Sequence, residues 1–286
     1  MSADIIGADI FASQPGDQDL LAELYDLEHD EVVDDLPFYR EMARRAGGRV
    51  LDLGCGSGRL FSALLDGGSS RVLGIDASSA LLRRAEARIA ADDGLRAAAD
   101  VGRLGLLRGD VRALATLNVT ERFDLAVAVG VVPHLDGPED VLRLLGGVRS
   151  LLAPGGQLVI DDLGPAAMPE RDLPLSVDWH RQLNGREVVR RSELIRRESP
   201  EGLRVAFSTI ADAVQPDGTI ARLPASHKLW YPSPEALAAL VVQAGMMIEL
   251  SYGSHDLEPL DRESGRRIYV VMYEAAVVPS QEVSVG

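Results

Sequence analysis

Lysine and cysteine are almost missing from this 286-residue sequence, which contains only Lys228 and Cys55 of these two types. A single cysteine excludes an intrachain disulfide and fits a reducing compartment. One lysine without a supporting context disfavours a Schiff-base mechanism. Histidine pairs at metal-ligand spacing are also missing, so we expect no metal.

Long apolar runs are missing as well, and positive charge is outweighed, with 29 Lys and Arg against 44 Asp and Glu. The formal net charge is −15 and the pI is about 4.8. Nucleic acid is therefore a disfavoured partner, because binding to its phosphates depends on clustered Lys and Arg. No apolar run reaches membrane-spanning length, and the first residues lack the pattern of a signal peptide. We expect a cytoplasmic protein with a small-molecule substrate and no membrane partner.

Glycine, in contrast, is concentrated in one short stretch, RVLDLGCGSGR at 49–59. Val50 to Leu53 have the pattern of a buried strand, and Gly54, Gly56 and Gly58 follow at once. Helical spacing resumes after Arg59. A strand, a glycine turn and a helix point backbone N–H groups at a polar ligand.

The spacing of these glycines distinguishes between ligands. A dinucleotide fingerprint would have glycine at positions 54, 56 and 59, but position 59 is Arg. A nicotinamide or flavin cofactor is therefore disfavoured.

Two acids follow the next two predicted strands. Asp76 ends the strand 71–76, and Asp110 follows the strand 104–108. Ligands of open parallel sheets bind beyond the carboxyl ends of the strands. Asp76 could accept the two hydroxyls of a ribose, and Asp110 with the Val111 N–H could bind adenine. The alternative is that both acids only form turns.

A fourth predicted strand, FDLAVAV at 123–129, leads into Gly130 and then His134. This places His134 above the sheet edge, where it could act as a base or contact a substrate. It could equally be bonded to local backbone.

The region before the glycine turn is helical in pattern and acidic from 17 to 41, after an N-terminal segment without periodicity. Such a run is usually a solvated face. It could also be a lid over the ligand, in which Tyr25 and Tyr39 reach the cofactor and carboxylates attract a cation.

An insertion interrupts the alternation of strands and helices after Pro165. Segments 173–181, 186–198, 203–214 and 219–231 predict four antiparallel strands, which include His180 and His227. A helix and two strands then complete the chain. The predicted fold is α/β and Rossmann-like, with a seven-stranded sheet, one antiparallel edge strand and an inserted four-stranded antiparallel sheet. We expect a mobile arm at 1–19, a core at 20–165 and 233–275, an insertion at 166–232 and a tail at 276–286.

The motifs together resemble the class I S-adenosylmethionine-dependent methyltransferases, and in particular the bacterial small-molecule group that acts on amino sugars and secondary metabolites and carries such an insertion. The resemblance is carried by YDLEHDEVVDDLPFY at 25–39, VLDLGCGSGRL at 50–60, GID at 74–76, RGDVR at 108–112, HL at 134–135 and LAPGG at 152–156.

The resemblance implies that S-adenosylmethionine binds over the glycine turn, that its methyl group passes to an N, O or C atom of a small acceptor, and that S-adenosylhomocysteine remains. The residues implied for the cofactor are Tyr25, Asp52, Gly54, Cys55, Gly56, Gly58, Asp76, Ala77, Leu81, Asp110, Val111 and Gly130. The candidate bases are, in order, His134, His180 and Tyr25.

Two other functions remain open at this stage. One is a non-catalytic cofactor-binding protein with a regulatory role, and the other is an NAD-dependent oxidoreductase. An inserted sheet with an exposed apolar edge is also compatible with a homodimer.

Overall fold

Two separate β-sheets organise the chain in the computed structural model, which describes residues 15–273. The elements, in chain order, are α1 (Pro15–His29), α2 (Leu36–Ala46), β1 (Arg49–Leu53), α3 (Phe61–Asp66), β2 (Arg71–Asp76), α4 (Ser79–Ala91), α5 (Asp93–Asp100), β3 (Leu104–Arg108), β4 (Phe123–Val129), α6 (Pro138–Leu151), β5 (Leu152–Leu163), β6 (Leu173–Leu183), β7 (Arg186–Ser199), β8 (Gly202–Val214), β9 (Ile220–Pro232), α7 (Pro234–Gln243), β10 (Met247–Tyr252) and β11 (Arg266–Met272). Short 3₁₀ turns cover Val111–Thr116, Val132–His134 and Pro165–Ala167.

The larger sheet has seven strands in the order β10-β11-β5-β4-β1-β2-β3. Strands β1 to β5 are parallel, whereas β11 runs antiparallel to both β5 and β10. The predicted Rossmann-like fold is confirmed. The chain extends the sheet from β1 through β2 to β3 on one side and then crosses from β3 to β4 on the other side of β1. The carboxyl end of β1 is therefore a topological switch point, where ligands of such sheets bind.

Helices cover both faces of this sheet. Helices α2 to α5 bury Tyr39, Phe61 and Leu95 on one face, and α6 and α7 bury Leu145 and Val241 on the other. A sheet covered on both faces needs apolar side chains on both, which explains why β1 and β4 are nearly continuous apolar runs. Within residues 15–273, no helix is long and apolar enough to cross a membrane.

The smaller sheet is an antiparallel meander in the order β6-β7-β8-β9. Its first turn has left-handed φ values of 51° at Asn184 and 76° at Gly185, as a two-residue hairpin requires. One face of this sheet packs on α1, where Leu20 and Leu24 join Val188 in a small buried cluster. We call this the inner face of the inserted sheet.

The N-terminal boundary differs from the sequence-based expectation. Helix α1 begins at Pro15, so residues 15–19 do not belong to the predicted mobile arm. Proline is tolerated in a first helical turn, and burial of Leu20 against the inserted sheet stabilises the helix that follows. The rest of the predicted arm (1–14) and the predicted tail (276–286) lie outside the described residues. The other domain limits remain predictions.

Asp162, a buried acid in β5 of the main sheet, allows the burial of side chains in this sheet to be tested. Asp162 is 3% exposed, and its Oδ1 has no hydrogen-bond partner. Burial raises its pKa to about 7, and the nearby Arg267 opposes this shift. The pKa of Asp162 is thus higher in the folded protein than the ordinary value of 3.8 for the unfolded chain. The free energy of unfolding is therefore highest below about pH 4, where Asp162 is protonated in both states, and falls as the pH rises through 7.

We therefore expect Asp162→Asn to flatten the fall in stability between pH 5 and 8, and to stabilise the protein by roughly 1–3 kcal/mol at pH 8. Thermal melting at several pH values measures this. Glu86→Gln, at an exposed site on α4, is the control. Equal pH dependence of the wild type and Asp162→Asn would contradict the assignment.

Candidate active site

The glycine turn after β1 has a backbone that only glycine adopts readily. Gly54, Gly56 and Gly58 have φ values of 63°, 55° and 80°. A Cβ on Gly56 would lie 3.0 Å from the Tyr25 hydroxyl, and one on Gly58 would lie 2.3 Å from the Phe61 ring. The turn therefore presents bare backbone at the switch point of the sheet.

Asp76 fixes the position of this turn. One carboxylate oxygen accepts a hydrogen bond of 2.9 Å from the Gly56 N–H, and the other accepts one of 2.7 Å from the Ser78 N–H. Burial raises the pKa of Asp76, and these backbone donors oppose the shift. Each oxygen retains a lone pair, so the carboxylate can still accept hydrogen bonds from a ligand.

Asp52, at the end of β1, is a buried acid without a partner for its Oδ2. The residue is 2% exposed. Burial raises its pKa to about 7; nearby Arg59 lowers the value and Asp76 raises it. A positively charged ligand group beside this carboxyl would favour its ionised form.

Tyr25 of α1 covers the turn from above. Its hydroxyl contacts the space over Gly56, and its ring stacks on His29 with centroids 4.0 Å apart. Burial, with Asp76 as the next cause, raises the pKa of Tyr25 to about 12. The phenol is thus protonated at neutral pH and can donate a hydrogen bond, but it is a weak base.

Arginines hold α1 in this position. Asp26 and Asp30 accept hydrogen bonds of 2.6 Å from Arg84 and Arg88 of α4, and Asp19 pairs with Arg83. On its other side, Glu28 accepts from Trp179 and pairs with Arg190 of the inserted sheet. These acids of the run are therefore already paired and are not free to attract a cation.

Arg59 holds the chain that links α1 to α2. Its guanidinium donates to both oxygens of Asp35, at 2.7 and 2.6 Å, and to the Val32 carbonyl at 2.8 Å. Arg59 occupies the position where a dinucleotide fingerprint would have its third glycine. Its hydrogen bonds connect the segment between α1 and α2 to the residues that follow the glycine turn.

Tyr39 of α2 is the second tyrosine that was expected to reach the cofactor, and this role remains a prediction. It is fully buried, and its hydroxyl donates to Asp161 of β5. His255 and Arg266 bind the same carboxylate. Helix α2 packs on α3 and β4, and the Tyr39 hydroxyl reaches from there to β5.

Asp110 lies after β3, as expected, but its carboxylate is already engaged. It accepts from the Arg112 backbone N–H at 2.8 Å and forms an ion pair with the Arg112 side chain. This pair holds the pKa of Asp110 below its usual range. Its role at adenine, with Val111, remains a prediction.

The other residues implied for the cofactor lie at the same edge of the sheet. Cys55 is buried, Leu81 is half-buried, and Ala77 is exposed. Gly130 has a φ of 66°, and its N–H donates to the Asp161 carbonyl at 2.8 Å. Within residues 15–273, no group of three or more His, Cys, Asp or Glu side chains is arranged to hold a metal ion.

His134 lies in the 3₁₀ turn after β4, where the main sheet meets the inserted one. Its ring contacts the His227 ring of β9 edge to face, with centroids 5.8 Å apart. Part of His134 is open to solvent, yet desolvation by the surrounding protein lowers its pKa. A neutral imidazole at this place can take a proton.

His180 is separated from these residues, which corrects its choice as a second base. It is exposed on β6, and its neighbour Trp179 faces α1. Alternation along the strand puts His180 on the outer face of the inserted sheet. His227 lies on the inner face instead. The sequence contained both histidines, but only the strand register assigns them to faces.

Residues 50–156 match a family model described as a methyltransferase domain. Among curated relatives, the mitochondrial ubiquinone biosynthesis O-methyltransferase of Dictyostelium discoideum is 25% identical over 46% of this chain and 42% of the relative. The tRNA U34 carboxymethyltransferase of Idiomarina loihiensis is 30% identical over 41% of this chain and 33% of the relative. The matches thus span less than half the length of either relative.

Solved structures with a similar fold match most of this chain. An S-adenosylmethionine-dependent methyltransferase from Clostridium acetobutylicum has a TM-score of 0.68 and 17% identity, covering 90% of this chain and 98% of that one. The sugar N-methyltransferase KedS8 from Streptoalloteichus has a TM-score of 0.64 and 18% identity, covering 96% of both chains. The match to the methyltransferase domain model thus covers residues 50–156, and the similarity of fold extends over most of the chain.

Proposed function

We propose that this protein transfers the methyl group of S-adenosylmethionine to a nitrogen, oxygen or carbon atom of a small molecule in secondary metabolism. The observation that carries the proposal is the left-handed glycine turn at the switch point of the sheet, with Asp76 bonded to the Gly56 N–H. It lies within the residues that match the methyltransferase domain.

The residues at the turn fit this cofactor. Asp76 would accept the ribose hydroxyls, while the bare backbone of 54–58 leaves room for the nucleoside. The unpartnered carboxyl of Asp52 suits a cationic ammonium group. Tyr25 would close the site from above and exclude water. When bound, S-adenosylmethionine supplies a methyl group on a positively charged sulfonium, which is a good leaving group.

On the acceptor side, His134 would take the proton that the nucleophile loses. Its lowered pKa keeps the ring neutral, and therefore able to accept a proton, at neutral pH. The other contribution of the protein is to position and desolvate the acceptor between the main and inserted sheets. An amine that is already neutral needs little help from a base, whereas an alcohol depends on it.

A small acceptor is supported by two observations. The similar folds that cover most of the chain include a sugar N-methyltransferase. The tRNA enzyme, in contrast, matches only about two fifths of the chain. The net charge of −15 disfavours a polyanionic substrate.

Two alternatives make different predictions for binding. An oxidoreductase would bind NAD, and a regulatory protein would bind S-adenosylmethionine without transferring its methyl group. We expect calorimetry to show binding of S-adenosylmethionine and none of NAD. Methyl label should then pass to a member of a panel of amines and alcohols, but not to tRNA. Binding of NAD alone would overturn the proposal, and cofactor binding with no transfer to any compound would favour the regulatory protein.

Gly56→Ala should weaken S-adenosylmethionine binding at least about tenfold, because a Cβ would meet Tyr25 at 3.0 Å and intrude on the nucleoside. Calorimetry of the folded variant measures this. Gly47→Ala is the matched control, since Gly47 has a φ of 65° at the end of α2 with nothing within 4 Å of its Cβ position. Both variants should lose roughly 1–2 kcal/mol of stability. Equal cofactor affinity in both would contradict the placement.

His134→Asn should reduce the turnover number at neutral pH by roughly 10²-fold or more for an alcohol acceptor, and by less for an amine. The dissociation constant of S-adenosylmethionine should stay within about twofold, because His134 is placed on the acceptor side. Steady-state kinetics with the panel compounds that take up methyl label measure the turnover number, and calorimetry measures the dissociation constant. His180→Asn, on the outer face, should change neither. Unchanged turnover in His134→Asn would remove it as the base.

A further inference from the structure

The inner face of the inserted sheet carries a second imidazole opposite His134. His227 is half-buried on β9, opposite Phe207 of β8 in the strand register. The Phe207 and His227 rings stack, with centroids 6.4 Å apart and an interplanar angle of 29°. The edge-to-face contact with His134 fixes the other side of the His227 ring. Two elements of different sheets thus bring two imidazoles together at the place proposed for the acceptor.

The charged groups beyond the Phe207 ring belong to β7, β6 and α1. The Arg190 guanidinium lies over the Phe207 ring at 5.6 Å. Glu28 of α1 binds Arg190 at 2.6 Å, and Asp178 of β6 binds it as well. These contacts hold Arg190, Phe207 and His227 in a row that runs from α1 to His134.

The two imidazoles differ in how easily they gain a proton. Burial first, and then the charges of His134 and Arg190, lower the pKa of His227 to about 4. The His134 pKa is lowered by desolvation alone. As the pH falls, His134 therefore gains its proton first, and His227 stays neutral while it does so. A neutral imidazole has one ring nitrogen that accepts a hydrogen bond.

We propose that His227 binds the acceptor, by accepting a hydrogen bond from one of its polar hydrogens, while His134 takes the proton that the nucleophile loses. This inference rests on the proposed function and deepens it. The acceptor must present two polar hydrogens at the site, as in a primary amine or an amine or alcohol with a neighbouring hydroxyl. A nucleophile with a single polar hydrogen, and no hydroxyl beside it, would bind less well.

The kinetic test compares two substitutions at position 227, with the panel compound that takes up the most methyl label as the acceptor. His227→Phe removes the hydrogen-bond acceptor and should raise the KM for this compound about 3–10-fold. His227→Gln, whose amide oxygen can accept a hydrogen bond, should recover part of this loss. Neither change should alter the dissociation constant of S-adenosylmethionine. Lys228→Gln, the next residue and on the opposite face, is the control and should behave as the wild type.

The outcomes separate the inference from the proposed function. If the wild type transfers no methyl group, the proposed function fails. If it does, and His227→Phe keeps the wild-type KM, only the inference is overturned. Equal KM values in His227→Phe and His227→Gln, both raised, would assign His227 a packing role and would also overturn it.

A second measurement needs no acceptor. Titration of the free protein, labelled with ¹⁵N at its histidine rings, should show His227 gaining its proton near pH 4. In His134→Asn the midpoint for His227 should move upward, since the neighbouring positive charge is gone. A midpoint near 6.5 that does not respond to His134→Asn would show that the two rings do not act as a pair.

Discussion

The hydrogen bond from the Gly56 N–H to the Asp76 carboxylate, 2.9 Å long, is the interaction on which the rest of the site depends. It joins the turn after β1 to the end of β2, the neighbouring strand. The same carboxylate accepts a hydrogen bond from the backbone N–H of Ser78, the N-cap residue of α4. A turn of left-handed glycines would otherwise be free to adopt several conformations. Its fixed shape lets Tyr25 approach without blocking the backbone.

Ion pairs connect helix α1 and the residue that follows it both to α4 of the main domain and to the inserted sheet. On one side its acids bind Arg84 and Arg88 of α4, and on the other Glu28 binds Arg190 of the inserted sheet. Exposed ion pairs are individually weak, but several together fix the orientation of a helix whose apolar contact with the sheet is small. The inserted sheet is thereby held over the switch point. This is why His134, at the end of the main sheet, can contact His227 on the inner face of the inserted sheet.

Some residues of the site could be placed from the sequence, and others could not. Asp76 and the glycines could be predicted because their positions follow from strand ends, and strand ends follow from local apolar patterns. The hydrogen bond from Tyr39 to Asp161 could not be predicted, because it joins residues 122 positions apart in the chain that only packing brings together. His180 was preferred to His227 because a one-residue change of register exchanges the faces of a strand. Trp179, the residue before His180, faces α1, so His180 faces the other way.

The sequence by itself determined the order of strands and helices, the glycine turn with its acids, and the antiparallel insertion. These depend on residues close in the chain, whose backbone preferences and apolar spacing act locally. Only the tertiary structure decided which side chains meet across distances of many residues. The contact between His134 and His227, and the pairing of the acids of α1 with arginines, arise when two sheets and a helix pack together. Such partners are selected by their shape and charge when the elements pack together, so the spacing of residues along the chain does not predict them.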